Sequence, residues 1–311
     1  LLCDSTILDG VLGIVGKRDV TIPQQLLTLK QIEYSGKIKG RLDNLNLQGA
    51  FSSPLGVLNV VGIFQLDMHQ KRIAFAGDVI TDDLDLNQML PEKELGKVSF
   101  STHINGTIDS TKQVLCEANA KIKKFEYKGY CYRDIQVNGQ LDSNKAQGNL
   151  NINDENLKLE LNGHIDWVKK NLVDIKIRIA DFVPAALNLT ESHPNLRIKA
   201  NTSINLRISK IYDFWADNLA GLIKVDSILL QNNDEEFTTQ QPVKIIIDNG
   251  LSQKKQERSL IVVSKIRTFR LSGKYSYKSI PLVFKHILHK SLPTLIEKPQ
   301  EDYPQDVKIK Y

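Results

Sequence analysis

From Lys121 to Asp166 the chain alternates apolar and polar residues almost without interruption, and a turn residue closes each run. Ile135, Val137 and Leu141 share one parity, with Gly139 between them. Leu150 and Ile152 follow in the next run, then Leu157, Leu159 and Leu161 in the one after. Successive side chains of a strand point to opposite faces, so this pattern builds a sheet with one greasy face and one wet face. The gaps are short, as in Asp142-Ser143-Asn144-Lys145 and Asp154-Glu155-Asn156, which suits hairpins and an antiparallel meander. A sheet that is apolar on one side must bury that side against something. What covers the apolar face is therefore the functional question.

The same signal extends over most of the chain. Strand-like runs are predicted at Glu33–Leu42, Leu45–Phe51, Gly56–Met68, Arg72–Ile80, Gly96–Ile108, Val114–Lys124 and Glu126–Val137. After residue 166 they resume at Leu172–Ile179, Leu196–Ile208, Gly221–Leu230, Val243–Ile247, Ser259–Ile266 and Arg270–Lys278. Glycine recurs inside them, where it marks bulges, bends or close backbone approaches. Repeated this often, it lets a sheet curve steadily. Short helical segments are expected at Pro23–Ile32, Leu86–Leu90, Pro184–Leu189 and Lys210–Asn218. A longer one, at 281–296, has the spacing of a cap over the sheet, and 299–311 reads as a linker or frayed end. The expected fold is all-β with a few short helices: one continuous segment over 1–311, a long curved antiparallel sheet forming an open groove with an apolar concave face.

Composition excludes several classes. Lys and Arg outnumber Asp and Glu only 41 to 36, a formal charge of +5 spread along the chain. No basic stripe for phosphate neutralisation emerges, so nucleic acid is not an expected partner. No apolar span is long enough to cross a bilayer as a helix. The chain opens on Leu1, read as a start inside a longer protein whose anchor or export signal lies upstream. Three cysteines, Cys3, Cys116 and Cys131, are too few and too odd for a disulfide scaffold. Cys116 reads as a small core residue in phase with Ala118 and Ala120; a Cys116–Cys131 bridge between neighbouring strands is the alternative.

Motifs that carry chemistry fail on inspection. Asp83, Asp85 and Asn87 with Glu94 imitate a calcium loop, but Gln88 stands where the sharp turn demands Gly and Pro91 interrupts. The expectation is that Asp83 or Asp85 caps the short helix that follows. His286 and His289 lack a third ligand, so no metal site is expected. Gly13-Ile14-Val15-Gly16-Lys17-Arg18 lacks the spacing and the Ser/Thr of a phosphate loop. No nucleophile elbow or His-Glu-x-x-His helix is present, so no catalytic residue, cofactor or enzymatic activity is expected. Asn105-Gly106-Thr107, Asn188-Leu189-Thr190 and Asn201-Thr202-Ser203 fit a glycosylation acceptor pattern that matters only in a eukaryotic secretory host. The aromatics of Phe125–Tyr132 suit cross-strand pairs that pin register, with a stacking platform for sugars or bases as the alternative.

Four stretches, in order, resemble the β-rich repeat region of the TamB and AsmA-like family of Gram-negative envelope proteins, in the form seen in Bacteroidota. They are LKQIEYSGKIKG with LNLQGAFSSPLG (from Leu29 and Leu45), and FAGDVITDDLDLNQML with LGKVSFSTHINGTID (from Phe75 and Leu95). FEYKGYCYRDIQVNGQLDSNKAQGNLNINDENLKLELNGHIDW (from Phe125) is the most specific, and IRIADFVPAALNL (from Ile177) completes the set. The likeness spans about residues 25–280 and thins after about 200. The family's N-terminal membrane helix and C-terminal domain have no counterpart in this stretch.

The resemblance implies an internal segment of a periplasmic bridge between inner and outer membranes. Such a bridge conducts phospholipid, supports outer-membrane protein assembly, or does both. It implies phospholipid acyl chains as ligand, and an inner-membrane anchor and an outer-membrane assembly component reached through other parts of the protein. Ile135, Val137, Leu141, Leu150, Ile152, Leu157, Leu159 and Leu161 are the expected groove lining. Acyl chains gain about 0.8 kcal/mol per buried CH₂, so a greasy face can carry them with no catalytic group. On the order of 18 strands spaced about 4.8 Å apart would extend roughly 80–90 Å. The alternative is a structural or adhesive β-solenoid filled by its own side chains. That reading wants a strict repeat, and the runs here vary in length.

Overall fold

The computed structural model describes residues 2–3, 32–41, 43–88, 94–111, 113–168, 172–191, 193–208, 219–239, 241–249, 257–265, 268–277, 282, 286 and 308–310. The protein is all-β, built on an open antiparallel sheet. The strands of the first half are β1 (Leu2–Cys3), β2 (Ile32–Arg41), β3 (Asn44–Ser53), β4 (Gly56–Asp67), β5 (Arg72–Asp85), β6 (Leu95–Asp109), β7 (Val114–Tyr127), β8 (Tyr130–Asp142) and β9 (Lys145–Asn153). They are followed by β10 (Leu157–Asp166), β11 (Leu172–Phe182), β12 (Arg197–Ile208), β13 (Leu219–Asn232), β14 (Glu235–Thr238), β15 (Val243–Asp248), β16 (Arg258–Val263), β17 (Thr268–Gly273) and β18 (Lys308–Lys310). The chain divides into two compact units. One comprises Leu1–Gly163, Arg178–Lys199 and Leu230–Glu236; the other comprises His164–Ile177, Ala200–Leu229 and Phe237–Tyr311.

In the first unit every strand from β2 to β9 pairs antiparallel with the next in sequence. Aspartates fix several of the turns. Asp67 Oδ1 accepts from the backbone N–H groups of His69 and Gln70 after β4, and Asp142 Oδ1 from those of Asn144 and Lys145 after β8. These are side chain–to–backbone turns that free the strands from finding another partner for those donors. The β7–β8 hairpin turns at Lys128 (φ 52°) and Gly129 (φ 73°), both left-handed as a tight two-residue turn requires. That corrects the reading of a strand start at Glu126: Phe125 and Tyr127 end β7, and Tyr130 and Tyr132 begin β8.

Parity slips by one residue at a single level in three of these strands. Asp82 and Asp83 are exposed together in β5, Lys123 and Lys124 in β7, and Arg133 and Asp134 in β8. Asp83 (φ 56°) and Asp134 (φ 48°) take left-handed backbone there, and the β5–β6 and β6–β7 registers shift at the same level. The consequence is that Thr81 and Leu84, Ile122 and Phe125, and Tyr132 and Ile135 pair across the same two registers despite spacings of three. Irregularities of this kind bend the strands that carry them.

The expected helices fare differently. Of Leu86–Leu90, Asn87 and Gln88 form a turn, with Asn87 N–H donating to Asp85 Oδ1 at 3.0 Å, and Met89 and Leu90 lie outside the described residues. Pro184–Leu189 is one turn and not a helix: Asn188 N–H donates to Ala185 O and Leu189 N–H to Pro184 O, with Asn188 left-handed at φ 57°. This is the closing motif of a helix end built without the helix. Lys210–Asn218 and residues 23–31 lie outside the described residues; of 281–296, Leu282 and His286 are described, both helical. Within 299–311, Lys308–Lys310 pair with β17.

The second unit has its own core, where buried Val173 and Leu206 pack with Ile165, Ile175, Ile204, Leu219, Ile223 and Ile247. Its ladders run β13–β15–β16–β17. Tyr277 Oη lies 3.2 Å from Asp248 O and 3.3 Å from Ser259 O, so its single proton is shared between the two strands at one end.

Candidate functional site

Because opposed residues of a ladder share a face, the registers assemble the apolar side of β2–β9 directly. One row across the strands is Tyr34, Phe51, Leu58, Thr81, Phe100, Ile122, Ile135 and Ile152. The next contains Val60, Val79, Thr102, Ala120, Val137 and Leu150, and the one after it Gly62, Gly77, Ile104, Ala118, Gly139 and Gly148. A fourth runs through Phe64, Phe75, Gly106, Cys116, Leu141 and Ala146. From β4 to β9 the third row is mostly small, broken by Ile104, and the fourth mixes Phe64, Phe75 and Leu141 with Gly106, Cys116 and Ala146. At Gly77 an added Cβ would lie 2.5 Å from Gly62 Cα and 2.4 Å from Val61 O. Cβ atoms of opposed residues normally stand about 4.5–5.5 Å apart, so the ladder folds here towards its apolar face, into room only glycine leaves.

The opposite face carries polar ladders. Gln140 Nε2 donates to Glu117 Oε1 (2.6 Å), Gln147 Nε2 to Gln140 Oε1 (2.8 Å), and Asn138 Nδ2 to Asn149 Oδ1 (2.9 Å). His103 Nδ1 lies 2.8 Å from Asp78 Oδ1. This face is not uniformly wet: Val57, Val61, Ile63 and Ile80 are exposed on β4 and β5.

All eight residues expected to line a groove are placed on strands, but not in one environment. Ile135 and Leu157 are buried with Tyr132 and Leu187 in one cluster, and Val137, Leu150, Ile152 and Leu159 pack against it. Leu161 shares the parity of Leu157 and Leu159 in β10 and is half-buried. Leu141, in the row farthest from the cluster, is 42% exposed, and Ile38 on β2 is 47% exposed. The apolar face is closed at one level and accessible at another.

Leu187 makes the difference. It is wholly buried, delivered by the Pro184–Leu189 turn. That turn is tethered by Asn188 Nδ2 donating to Lys128 O (2.9 Å) and by Val183 N–H donating to Asn156 O (3.0 Å). Asp154, two residues before Asn156, is also buried. Its Oδ1 accepts from Tyr130 Oη (2.5 Å) and Asn156 N–H (3.0 Å), and its Oδ2 from Arg133 N–H (2.9 Å). Burial, and then donation to Asp154, raises the Tyr130 phenol above its ordinary 10.0; burial also raises Tyr132. The aromatics pair across the hairpin as register pins, Phe125 opposite Tyr132 and Tyr127 opposite Tyr130, with Tyr130 and Tyr132 edge-on at 4.9 Å.

Cys116 and Cys131 are both free thiols. Cys116 opposes Leu141 and Cys131 opposes Glu126, so the bridge entertained from spacing alone does not form. Asp83 N–H donates to Ser99 Oγ, and Asp85 Oδ2 accepts from Gln88 Nε2. Among the described residues no His, Cys, Asp and Glu group is arranged to hold a metal, and no helix is long and apolar enough to cross a membrane. His286 is described and His289 is not. The sequence reading missed Leu187, whose partners lie far away in the chain. It also missed Thr102, a hydroxyl on the apolar face. Its parity with Phe100 and Ile104 was the available signal. No family model, curated protein or solved structure matches the chain.

Proposed function

We propose that this chain is a segment of a periplasmic AsmA-like bridge whose apolar face carries phospholipid acyl chains between inner and outer membranes, supports outer-membrane protein assembly, or does both. Such a bridge calls for an inner-membrane anchor and an outer-membrane assembly component as partners, engaged through parts of the protein other than this stretch. The reading is carried by one observation: eight consecutive strands present register-matched apolar rows on one face, bent at glycine pairs, with exposed Leu141 and Ile38 among them. Apolar rows that run across eight strands suit an acyl chain lying along them, and an acyl chain that needs only shelter from water requires no catalytic group.

Leu187 supports a second reading, a β-structure that fills its own interior. Its seat against Tyr132 and Ile135 is what such a protein would use along its whole length. The two separate at Leu141, because a charge at a lipid-bearing position blocks binding while a charge on an already wet surface does nothing. Leu159 is less suitable, since it packs against the Leu187 cluster and a charge there tests packing. The experiment is native mass spectrometry of the chain after exposure to phospholipid vesicles. The expected outcome is bound phospholipid that Leu141→Arg strongly reduces without lowering Tm. A chain that takes up no lipid favours the self-filled structure.

A further inference from the structure

Lys124 of β7 and Arg133 of β8 stand directly opposite each other, two cations across one rung of the ladder. Like charges in that position repel. Both side chains are exposed, as are those of Lys121 and Lys123 on the same strand. A regular strand would send Lys123 and Lys124 to opposite faces. The parity slip at this level instead turns both outwards, and brings Arg133 out opposite them. Among the described residues none of the four cations forms an ion pair. The carboxylates of the same level are engaged elsewhere. Glu126 Oε2 accepts from Lys97 N–H at 3.0 Å, and Asp134 Oδ2 from Asn153 Nδ2 at 3.1 Å. Asp82 and Asp83 lie two strands away on β5.

We propose that Lys124 and Arg133, flanked by Lys121 and Lys123, bind a phosphate group on the face opposite the apolar rows. Opposed residues bring their Cβ atoms to about 4.5–5.5 Å, so an ammonium and a guanidinium on long side chains can close on one oxyanion. Arg133 offers a planar fork of donors for two phosphate oxygens, and Lys124 a point charge for a third. A bound anion also relieves the repulsion within the bare pair. All four side chains are open to solvent, so a ligand reaches them without displacing protein. Beyond Lys121 this face continues as Asn119 and Glu117 on β7 and as Gln136, Asn138 and Gln140 on β8. The positive charge therefore ends after a length that suits one or two phosphates and not the track of a long polyanion. Two sources present that chemistry, a soluble phosphate and a phospholipid headgroup. The site is independent of what the apolar face carries.

The test titrates the full chain with inorganic phosphate against chloride at constant ionic strength and follows backbone amide shifts by NMR. Phosphate should shift the amides of Lys121, Lys123, Lys124 and Arg133 saturably, with one shared dissociation constant. Lys124→Gln and Arg133→Gln should each weaken binding about fivefold, the worth of one exposed ion contact. Lys124→Arg should retain it. Because the like-charge pair is relieved, Lys124→Gln should melt no lower than the unaltered chain, and its loss of binding is then read on a folded protein. Sedimentation with phosphatidylcholine vesicles, with and without phosphatidylglycerol, assigns the source. Capture that needs phosphatidylglycerol and is lost in the two Gln variants marks a headgroup; phosphate binding without such capture marks a soluble ligand. Linear shifts in the unaltered chain, or none, overturn the site. Binding undiminished when both residues are Gln overturns it as well. The titration of the unaltered chain decides even if a variant folds poorly.

Discussion

Gly139 and Gly148 face each other across β8 and β9, yet only one of them has room for a side chain. A methyl group on Gly148 would lie 2.4 Å from Asn138 O and 3.0 Å from Gly139 Cα, whereas on Gly139 the nearest atom is Gln147 O at 3.5 Å. Gly148→Ala must push the strands apart and should cost about 1–3 kcal/mol. Gly139→Ala should be neutral or stabilise by roughly 0.5–1 kcal/mol, since a strand glycine is entropically expensive. Urea melts of the two variants decide this, and equal effects would refute the asymmetry.

Leu187 is wholly buried in the closed level of the apolar face, with Phe182 packed beside it. Its truncation to alanine leaves a cavity against Tyr132, Ile135 and Leu157, with an expected loss of about 2–5 kcal/mol. Asn188→Ala removes the tether to Lys128 O and also puts alanine at a left-handed φ of 57°, so it should cost about 1–2 kcal/mol. Chemical denaturation ranks the pair; a reversed order would mean that the turn is held by its hydrogen bonds and not by Leu187.

The raised phenols set an alkaline limit. A folded-state pKa above the unfolded 10.0 means that the folded chain holds its proton longer. Stability from Tyr130 and Tyr132 is therefore complete below pH 10 and is lost as pH climbs through the folded values. Thermal melts should be insensitive to these groups up to about pH 9 and fall steeply above 10. In Tyr130→Phe the fall should be shallower. An alkaline slope identical in that variant would remove Tyr130 from the account.

Cys116 and Cys131 should remain independent under oxidising conditions. Cys116 opposes Leu141, ten residues along β8 from Cys131, or about 33 Å of strand. Disulfides need Cα atoms within about 7 Å. Non-reducing mass analysis after mild oxidation should find no intramolecular bond between them, and its detection would contradict the register.

Alternation made the apolar face readable from the sequence. Ile135, Val137, Leu150 and Ile152 fall where period two puts them, because strand geometry has no other option. The level at which parity slips was not readable. Lys123-Lys124 looks like a strand end, since nothing local announces that Asp83 and Asp134 adopt positive φ. The turn at Lys128-Gly129 was obscured by aromatics continuing on both sides of it. Pro184–Leu189 carries helix-forming alanines, but its conformation is set by where Leu187 is seated, a tertiary fact. Thr102 was legible only in part: parity with Phe100 and Ile104 sets it on the apolar face, but its burial depends on the neighbouring strands.

Every ladder from β2 to β9 joins strands that are neighbours in the chain. Such a sheet assembles like a zipper: each strand can dock as soon as it emerges, with little loop entropy to overcome. It is also modular. Removing or duplicating an even number of strands restores chain direction at the joint, and the rows remain in phase on either side of it. The length of the apolar face is thus set by the number of hairpins, a quantity that evolution or a protein engineer can change one hairpin at a time without redesigning a core.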